Sequence, residues 1–394
     1  MPRVLAFIPA AIALLAAGIF LGGHPDRLPG FVRDPLVGDK DTRVVREAID
    51  HIHDTYYRKI PDSQLADDSL KGVVAALHDR FSNYFTPREY KQFQEVSNSQ
   101  FSGIGLEVNE HPRGLRIALV YDNSPASRAH LKPGDLIVAV GKTSLKGKPS
   151  DYATSLIKGP SGSDVTITVV HKGKPRQVTL TRATITVPVV ASALRTVGGK
   201  KLGVIRLSTF ATPGAHAQVY AAIRRRVKQG AKGIVLDLRH NGGGLVNEAQ
   251  LVASAFLSKG KIVSLRGRGV APQTLNATGE PIAPKTPLVV LVDRDTASAS
   301  EIVTGALQDH KRAKVVGTRT FGKGVFQEVI ELDNGGALDI TAGQYFTPNG
   351  RNLGGGGVKP GTGIQPDVKA ADNQKTPRDE GLDRALSVLA GEVP

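Results

Sequence analysis

Apolar positions recur along this chain with two different periods, and the change from one to the other divides it. From Thr42 to about Val96 the period is helical. "VVREAIDHIHDTYY" sets Val45, Ala48, Ile49, Ile52 and Tyr56 on one stripe, and "DDSLKGVVAALHDRF" repeats the arrangement. From Phe101 to about Ala183, short apolar alternations broken by Gly and Pro predict strands. Beyond Ala183, apolar runs ("LGVIRL", "GIVLDLR", "PLVVLVD", "AKVVGT") alternate with helical stretches, the pattern of an α/β core with a largely parallel sheet. One of those stretches, "AHAQVYAAIRRRVKQG", carries a stripe of Val219, Ala222, Ile223 and Val227, and "DEGLDRALSVLAGEV" predicts a last amphipathic helix.

The first residues follow neither period. Val4 to Gly23 is an uncharged run of 20 residues, about 30 Å as a helix, the thickness of a bilayer core. A cleavable signal has an apolar stretch of only about 7–15 residues, so this run reads as an uncleaved membrane anchor in preference to a cleaved signal. In either case the rest of the chain is expected to be exported, secreted or periplasmic if the run is cleaved. The expected organisation is an anchor (1–23), a Pro- and Gly-rich linker (24–41), a helical region (42–98), a strand-rich module (99–183), an α/β core (184–376) and a C-terminal helix (377–394).

Composition narrows the chemistry. The chain has 394 residues, 40% hydrophobic and 22% charged, which excludes a disordered polymer. It has no cysteine, which excludes disulfides, a thiol nucleophile and cysteine-held metal centres. The net charge of +15 raises the question of nucleic acid, but the basic residues are scattered and no aromatic platform accompanies them. The run Arg224-Arg225-Arg226 lies on a helix whose other side is apolar, so it reads as a solvated face, and no nucleic-acid partner is expected. His51 and His53 are two apart and diverge on a helix, a poor metal pair. The apolar stripes of 42–98 offer a surface on which two subunits could pair.

In the strand-rich module, "FSGIGLEVNE" places Gly103 and Gly105 around Ile104 ahead of a strand opening at Leu106. Such a loop can present several N–H groups in one direction, and an open strand edge after it suits an extended peptide ending in a carboxylate. A helix over 151–157 would form the other wall, with Leu156 and Ile157 as pocket residues. With "SPASRAHLKPGDLIVAVGK", these segments resemble a PDZ domain, which implies recognition of a peptide C-terminus with an apolar last residue.

Two further segments bear on catalysis. "GTRTFGKGVFQ" has the spacing of a phosphate loop at Gly317–Lys323, but Gly324 stands where Ser or Thr should hold magnesium, and a strand pattern follows instead of a helix. A nucleotide site is therefore disfavoured. Upstream, the apolar strand 288–292 leads through a polar turn into a helix beginning near Ala299, which puts Ser298 at the carboxyl edge of a parallel-type strand, where open α/β folds bind ligands. A serine hydroxyl needs a base, and a lysine amine serves once burial among apolar neighbours lowers its pKa from about 10.4. Lys323, flanked by Phe321, Val325 and Phe326, has such neighbours. The glycines of "VLDLRHNGGGL" would let backbone N–H groups approach a substrate beside a helix N-terminus, as an oxyanion hole requires.

"TASASEIVTGALQDHKRAKVVGTRTFGKGVFQ", "VLDLRHNGGGL", "GQYFTPNGRNL" and "GIQPDV" together resemble the carboxyl-terminal processing peptidases, the S41 family of serine endopeptidases. The resemblance implies a multidomain α/β architecture: an N-terminal helical region, the PDZ domain, and a protease core of the ClpP/crotonase type. It implies Ser298 as nucleophile, Lys323 as general base, Gln327 as the lysine's polar partner, and an oxyanion hole from the N–H of Ala299 with that of Gly243 or Gly244. It calls for no cofactor, and its partners are protein or peptide substrates. His240 stands where the family often has Asn, which opens a Ser–His alternative with Asp237 as the histidine's partner. A PDZ-containing scaffold without activity is the reading from another class.

Overall fold

The computed structural model describes residues 40–97, 100–372 and 376–393. The expected anchor and nearly all of the expected linker lie outside them. Among the described residues no helix is long and apolar enough to cross a membrane. The chain divides into two compact units, 1–80 and 81–394. In the first, helices span Lys40–Thr55 and Asp62–Ala75. The helical period is present as expected, but Val45, Ile52 and Tyr56 stay 55%, 45% and 41% exposed, so the stripe is not covered by its own unit.

The second unit opens with a strand, Asn83–Phe85, inside the region whose period is helical, followed by the helix Pro87–Ser97. Cross-strand pairing overrides local pattern here: Asn83, Tyr84 and Phe85 pair antiparallel with Asp339, Leu338 and Ala337. Next comes a sheet in which Leu106–His111, Gly114–Val120, Leu136–Val140, Asp164–His171 and Lys174–Thr181 are successive neighbours. Its inward positions alternate and bury Leu115, Ile117, Ile137, Ile167 and Val169. The strands Gln100–Gly103 and Ala183–Thr186 pair with each other where the chain enters and leaves this module.

The core is a six-stranded sheet in the order Val190–Val197, Lys200–Leu207, Gly233–Asp237, Leu288–Val292, Lys314–Gly317 and Val368–Lys369. The first pair is antiparallel and the rest are parallel. Gly233–Asp237 and Leu288–Val292 are buried at every position, as continuous apolar runs must be when helices cover both faces. Helices Ala215–Lys228, Val246–Ser254 and Ala299–Asp309 contribute to one core cluster, and Ala385, Leu386 and Leu389 of the last helix to the other. The stripe on Ala215–Lys228 ends sooner than its pattern implies: Val219, Ala222 and Ile223 are buried, but Val227, one turn further, is 43% exposed. A second sheet joins Ala337–Phe346 to Asn83–Phe85, Lys261–Gly267 and Val325–Glu331, and the last of these strands leaves the turn that contains Lys323.

Candidate active site

The elbow between Leu288–Val292 and Ala299–Asp309 is strained. Ser298 has φ 55° and ψ −119°, a region that residues with a Cβ enter only when their surroundings hold them there. Those surroundings are identifiable. The Ser298 N–H donates to Glu301 Oε2 at 2.9 Å. Ala297 N–H donates to the Asn241 carbonyl at 3.1 Å, and Ser300 Oγ donates to the same carbonyl at 2.9 Å. Ser298 itself is half-buried. Ala299 is fully buried, and as the first residue of its helix its N–H has no acceptor within the helix.

Glu301 holds more than the elbow. The same Oε2 accepts the backbone N–H of Lys323 at 3.0 Å, while Oε1 accepts the Gly322 N–H at 2.8 Å and the Thr320 hydroxyl at 2.6 Å. One oxygen thus fixes the backbones of Ser298 and Lys323 as neighbours. The carboxyl is completely buried. Burial pushes its pKa up, and the hydrogen bonds from Thr320, Lys323, Gly322 and Ser298 pull it back. Pattern reading passed over Glu301 and Thr320, although the S-x-x-E spacing of Ser298 and Glu301 is that of a capping box and would have pointed to the first.

Lys323 is half-buried, and its Nζ donates to Gln327 Oε1 at 2.6 Å. Gln327 lies four residues on, on the same side, and its Nε2 donates to Thr341 Oγ1 at 3.1 Å. The Nζ also lies 4.8 Å from the centre of the Phe81 ring. The fully buried Tyr345 hydroxyl donates to the Lys323 carbonyl. Sequence reasoning found the lysine and the glutamine but neither Phe81 nor Thr341, whose places are set by pairing between distant segments.

The glycine turn packs against the elbow. A Cβ built on Gly243 would lie 2.8 Å from Ser298 Cβ and 2.9 Å from Ala299 N, and φ there is +102°, so only glycine fits. The Gly243 N–H donates to Asn241 Oδ1 at 3.0 Å. Gly244 faces the other way, its built Cβ 2.1 Å from Ala211 N. His240 is 63% exposed at its side chain, with Nδ1 2.9 Å from Asp293 and 3.1 Å from Asp295. Asp237, the partner considered for it, is bound instead to Arg239. The His240, Asp293 and Asp295 donors lie close enough together to hold a cation, but Asp293 Oδ1 already accepts from the backbone of His240, Asp295 and Thr296 and from the Thr296 hydroxyl.

In the strand-rich module, among the described residues, Leu106–His111 pairs with Gly114–Val120 alone, which leaves its other edge open. A cavity of about 50 Å³ beside it is lined by Gly103, Ile104, Gly105, Leu106 and Ile157, all expected, and by Thr154 and Lys158. Leu156 is not among the lining residues: Thr154 and Ile157 share the helix face toward the groove, and Leu156, half-buried, packs against the module's core from off that face. Gly105 has φ +84°, and a Cβ there would meet Ser124 Cβ at 2.2 Å.

The chain matches the model of peptidase family S41 over residues 201–370 and that of the PDZ domain over 102–181. It is 32% identical to a carboxyl-terminal-processing protease of Synechocystis sp., the match covering 96% of this chain and 92% of that one. It belongs to peptidase family S41. A probable CtpA-like serine protease of Staphylococcus haemolyticus is 31% identical over 92% of this chain and 71% of its own length. Among solved structures, a photosystem II D1 C-terminal processing protease superposes with a TM-score of 0.51 at 29% identity, covering 88% of this chain and 97% of the other. This S41 protein is thus a serine-type peptidase with a PDZ domain, and the mixed α/β architecture expected of it is the one observed.

Proposed function

We propose that this S41 peptidase is an endopeptidase that cleaves exported proteins near their C-termini with a Ser298/Lys323 dyad, outside the cytoplasm and tethered through residues 4–23. The observation that carries the dyad is the single Glu301 oxygen that accepts the backbone N–H of both Ser298 and Lys323. A second support is Gln327, which accepts from the amine and holds it in one direction.

In the reaction, neutral Lys323 Nζ takes the Ser298 hydroxyl proton as Oγ bonds to the substrate carbonyl carbon. The oxyanion is held by the Ala299 N–H and by a glycine N–H. Gly243 stands nearer the elbow than Gly244, and its N–H would exchange Asn241 Oδ1 for the oxyanion. Collapse breaks the C–N bond, and the departing amine takes the proton from Lys323. A water molecule, deprotonated by the same amine, then hydrolyses the acyl-enzyme, and Ser298 recovers its proton. The open strand edge of the PDZ domain would hold the substrate's C-terminus by main-chain hydrogen bonds, with an apolar last side chain in the adjoining cavity. The localisation rests on the length and lack of charge of the N-terminal run.

Ser298→Ala and Lys323→Ala are each expected to abolish cleavage of an unfolded protein while leaving binding of a C-terminal peptide unchanged. Cleavage retained in both would dismiss the dyad.

A further inference from the structure

Two consecutive residues, far from the catalytic turn in sequence, reach the surroundings of the Lys323 amine. The Phe81 ring centre is 4.8 Å from Nζ. Ser82, 7% exposed, accepts the Thr341 N–H on its hydroxyl at 3.0 Å. Thr341 Oγ1 in turn accepts from Gln327 Nε2, which leaves Gln327 Oε1 to accept from Lys323. That orientation is the one chemistry requires, because an ammonium offers only donors. The segment is firmly seated, since Asn83–Phe85 is paired in the sheet and the buried Tyr84 hydroxyl accepts from Asn334 at 2.8 Å.

We propose that Phe81 and Ser82 are positioning residues for the general base, Phe81 setting the amine's protonation through its ring face and Ser82 its direction through Thr341 and Gln327. This rests on the reading of Lys323 as the base. An aromatic face is negative, so it favours the ammonium over the amine. Burial acts in the opposite direction. The ring therefore holds the pKa higher than the same pocket without it would, and the pH at which the enzyme becomes active follows the ring.

Titratable groups also stand about the lysine among the described residues. Glu301 accepts its backbone N–H and Tyr345 donates to its carbonyl. The backbone N–H of Lys359 reaches the neighbouring Gly322 carbonyl. Asp339 lies two residues from Thr341, on the same side of its strand. None of these is removed by a change at Phe81, and comparing tryptophan with leucine at that position separates loss of the ring face from other consequences of the substitution.

The test is the pH profile of kcat/KM for the full-length protein on an unfolded protein substrate. Phe81→Leu is expected to move the rising limb about half a pH unit to the acid side, raising activity below the limb about threefold relative to the plateau. Phe81→Trp keeps a ring face and is expected to leave the limb in place. Ser82→Ala is expected to lower kcat about tenfold with KM and the limb unchanged. Phe81→Met, more adaptable in packing, replaces the leucine variant if that one does not fold. A limb that stays put in the leucine or methionine variant, or that moves equally with tryptophan, overturns the proposal. The base assignment would survive that result and falls only if Lys323→Ala remains active.

Discussion

In the PDZ domain the strand Leu106–His111 leaves one edge of backbone groups open to a partner, whereas around Ser298 the buried polar groups are turned on one another. The groove has a cavity of about 50 Å³ and one wall made of a short helix. The elbow has a fully buried carboxylate with four donors, and a neighbouring turn with no room for a methyl group at Gly243. The difference is one of tolerance. Main-chain recognition of an extended peptide spreads its free energy over many weak contacts, so a local change in the groove alters affinity by degrees. Under the proposed dyad, the geometry leans on one oxygen shared by two backbone N–H groups, and a change at that oxygen is expected to lower function abruptly.

The sharpest way to break this contrast is Glu301→Gln. A carboxamide offers one acceptor oxygen, and its NH₂ would face donors now held by Glu301. Charge-assisted hydrogen bonds contribute about 1.5–3 kcal/mol each, so losing one or two at the elbow should lower kcat on the order of 100–1,000-fold with KM changed less than about twofold. Near-normal kcat would show that the elbow is held by something else. The pH dependence of stability gives a second readout. Because burial raises the Glu301 carboxyl above its ordinary range, the folded chain binds this proton more readily than the unfolded chain does. The stability it contributes is present below the ordinary carboxylate range and is lost as pH rises through the raised value. Glu301→Gln should remove that slope.

A milder change tests the other side. Thr154 is half-buried on the groove wall, and Thr154→Asp would place a negative charge near a substrate's terminal carboxylate. The expected result is a KM about tenfold higher at unchanged kcat, measured by initial rates on a peptide with a free C-terminus. The same peptide with an amidated C-terminus should show less difference between the two proteins. A fall in kcat instead would mean that the groove does more than bind.

The same contrast governs what could be read from the amino acids in order. The strand Leu288–Val292 and the helix from Ala299 were legible because buried parallel strands are unbroken apolar runs and glycine or polar turns mark their ends. The groove's position was legible because Gly103 and Gly105 flank Ile104 just ahead of the strand that opens at Leu106. Hidden were contacts that depend on packing between distant segments. Asn83–Phe85 sits in a stretch of helical period and becomes a strand because Ala337–Phe346 offers it an edge. Phe81 meets Lys323 for the same reason. Leu156 falls off the groove face because a helix turns about 100° per residue, and its neighbour Ile157 already occupies that face.

The smallest effect is expected at the ion cluster around Arg239. Its buried guanidinium binds Asp237 at the end of a core strand, and Asp372 and Asp379 ahead of the last helix. Burial opposes its charge, but the carboxylates of Asp237 and Asp379 keep it above the usual arginine range. The hydrogen bond from Arg239 in turn holds the Asp379 carboxyl below its usual value. Asp379 also caps the last helix by accepting the Leu382 N–H at 2.8 Å. Asp379→Asn keeps an acceptor for the cap and leaves Arg239 two carboxylates, and the lost one is 45% exposed at its side chain. With solvent screening discounted, the cost should be about 1 kcal/mol at neutral pH. A depressed pKa contributes stability above the ordinary carboxylate range and loses it as pH falls through the lowered value. The gap in thermal midpoint between the two proteins should therefore close on acidification, while kcat on an unfolded substrate stays within about twofold. A gap that persists in acid, where Asp379 is protonated and has lost both the ion pair and the charged cap, would assign the effect to something other than the carboxylate's charge.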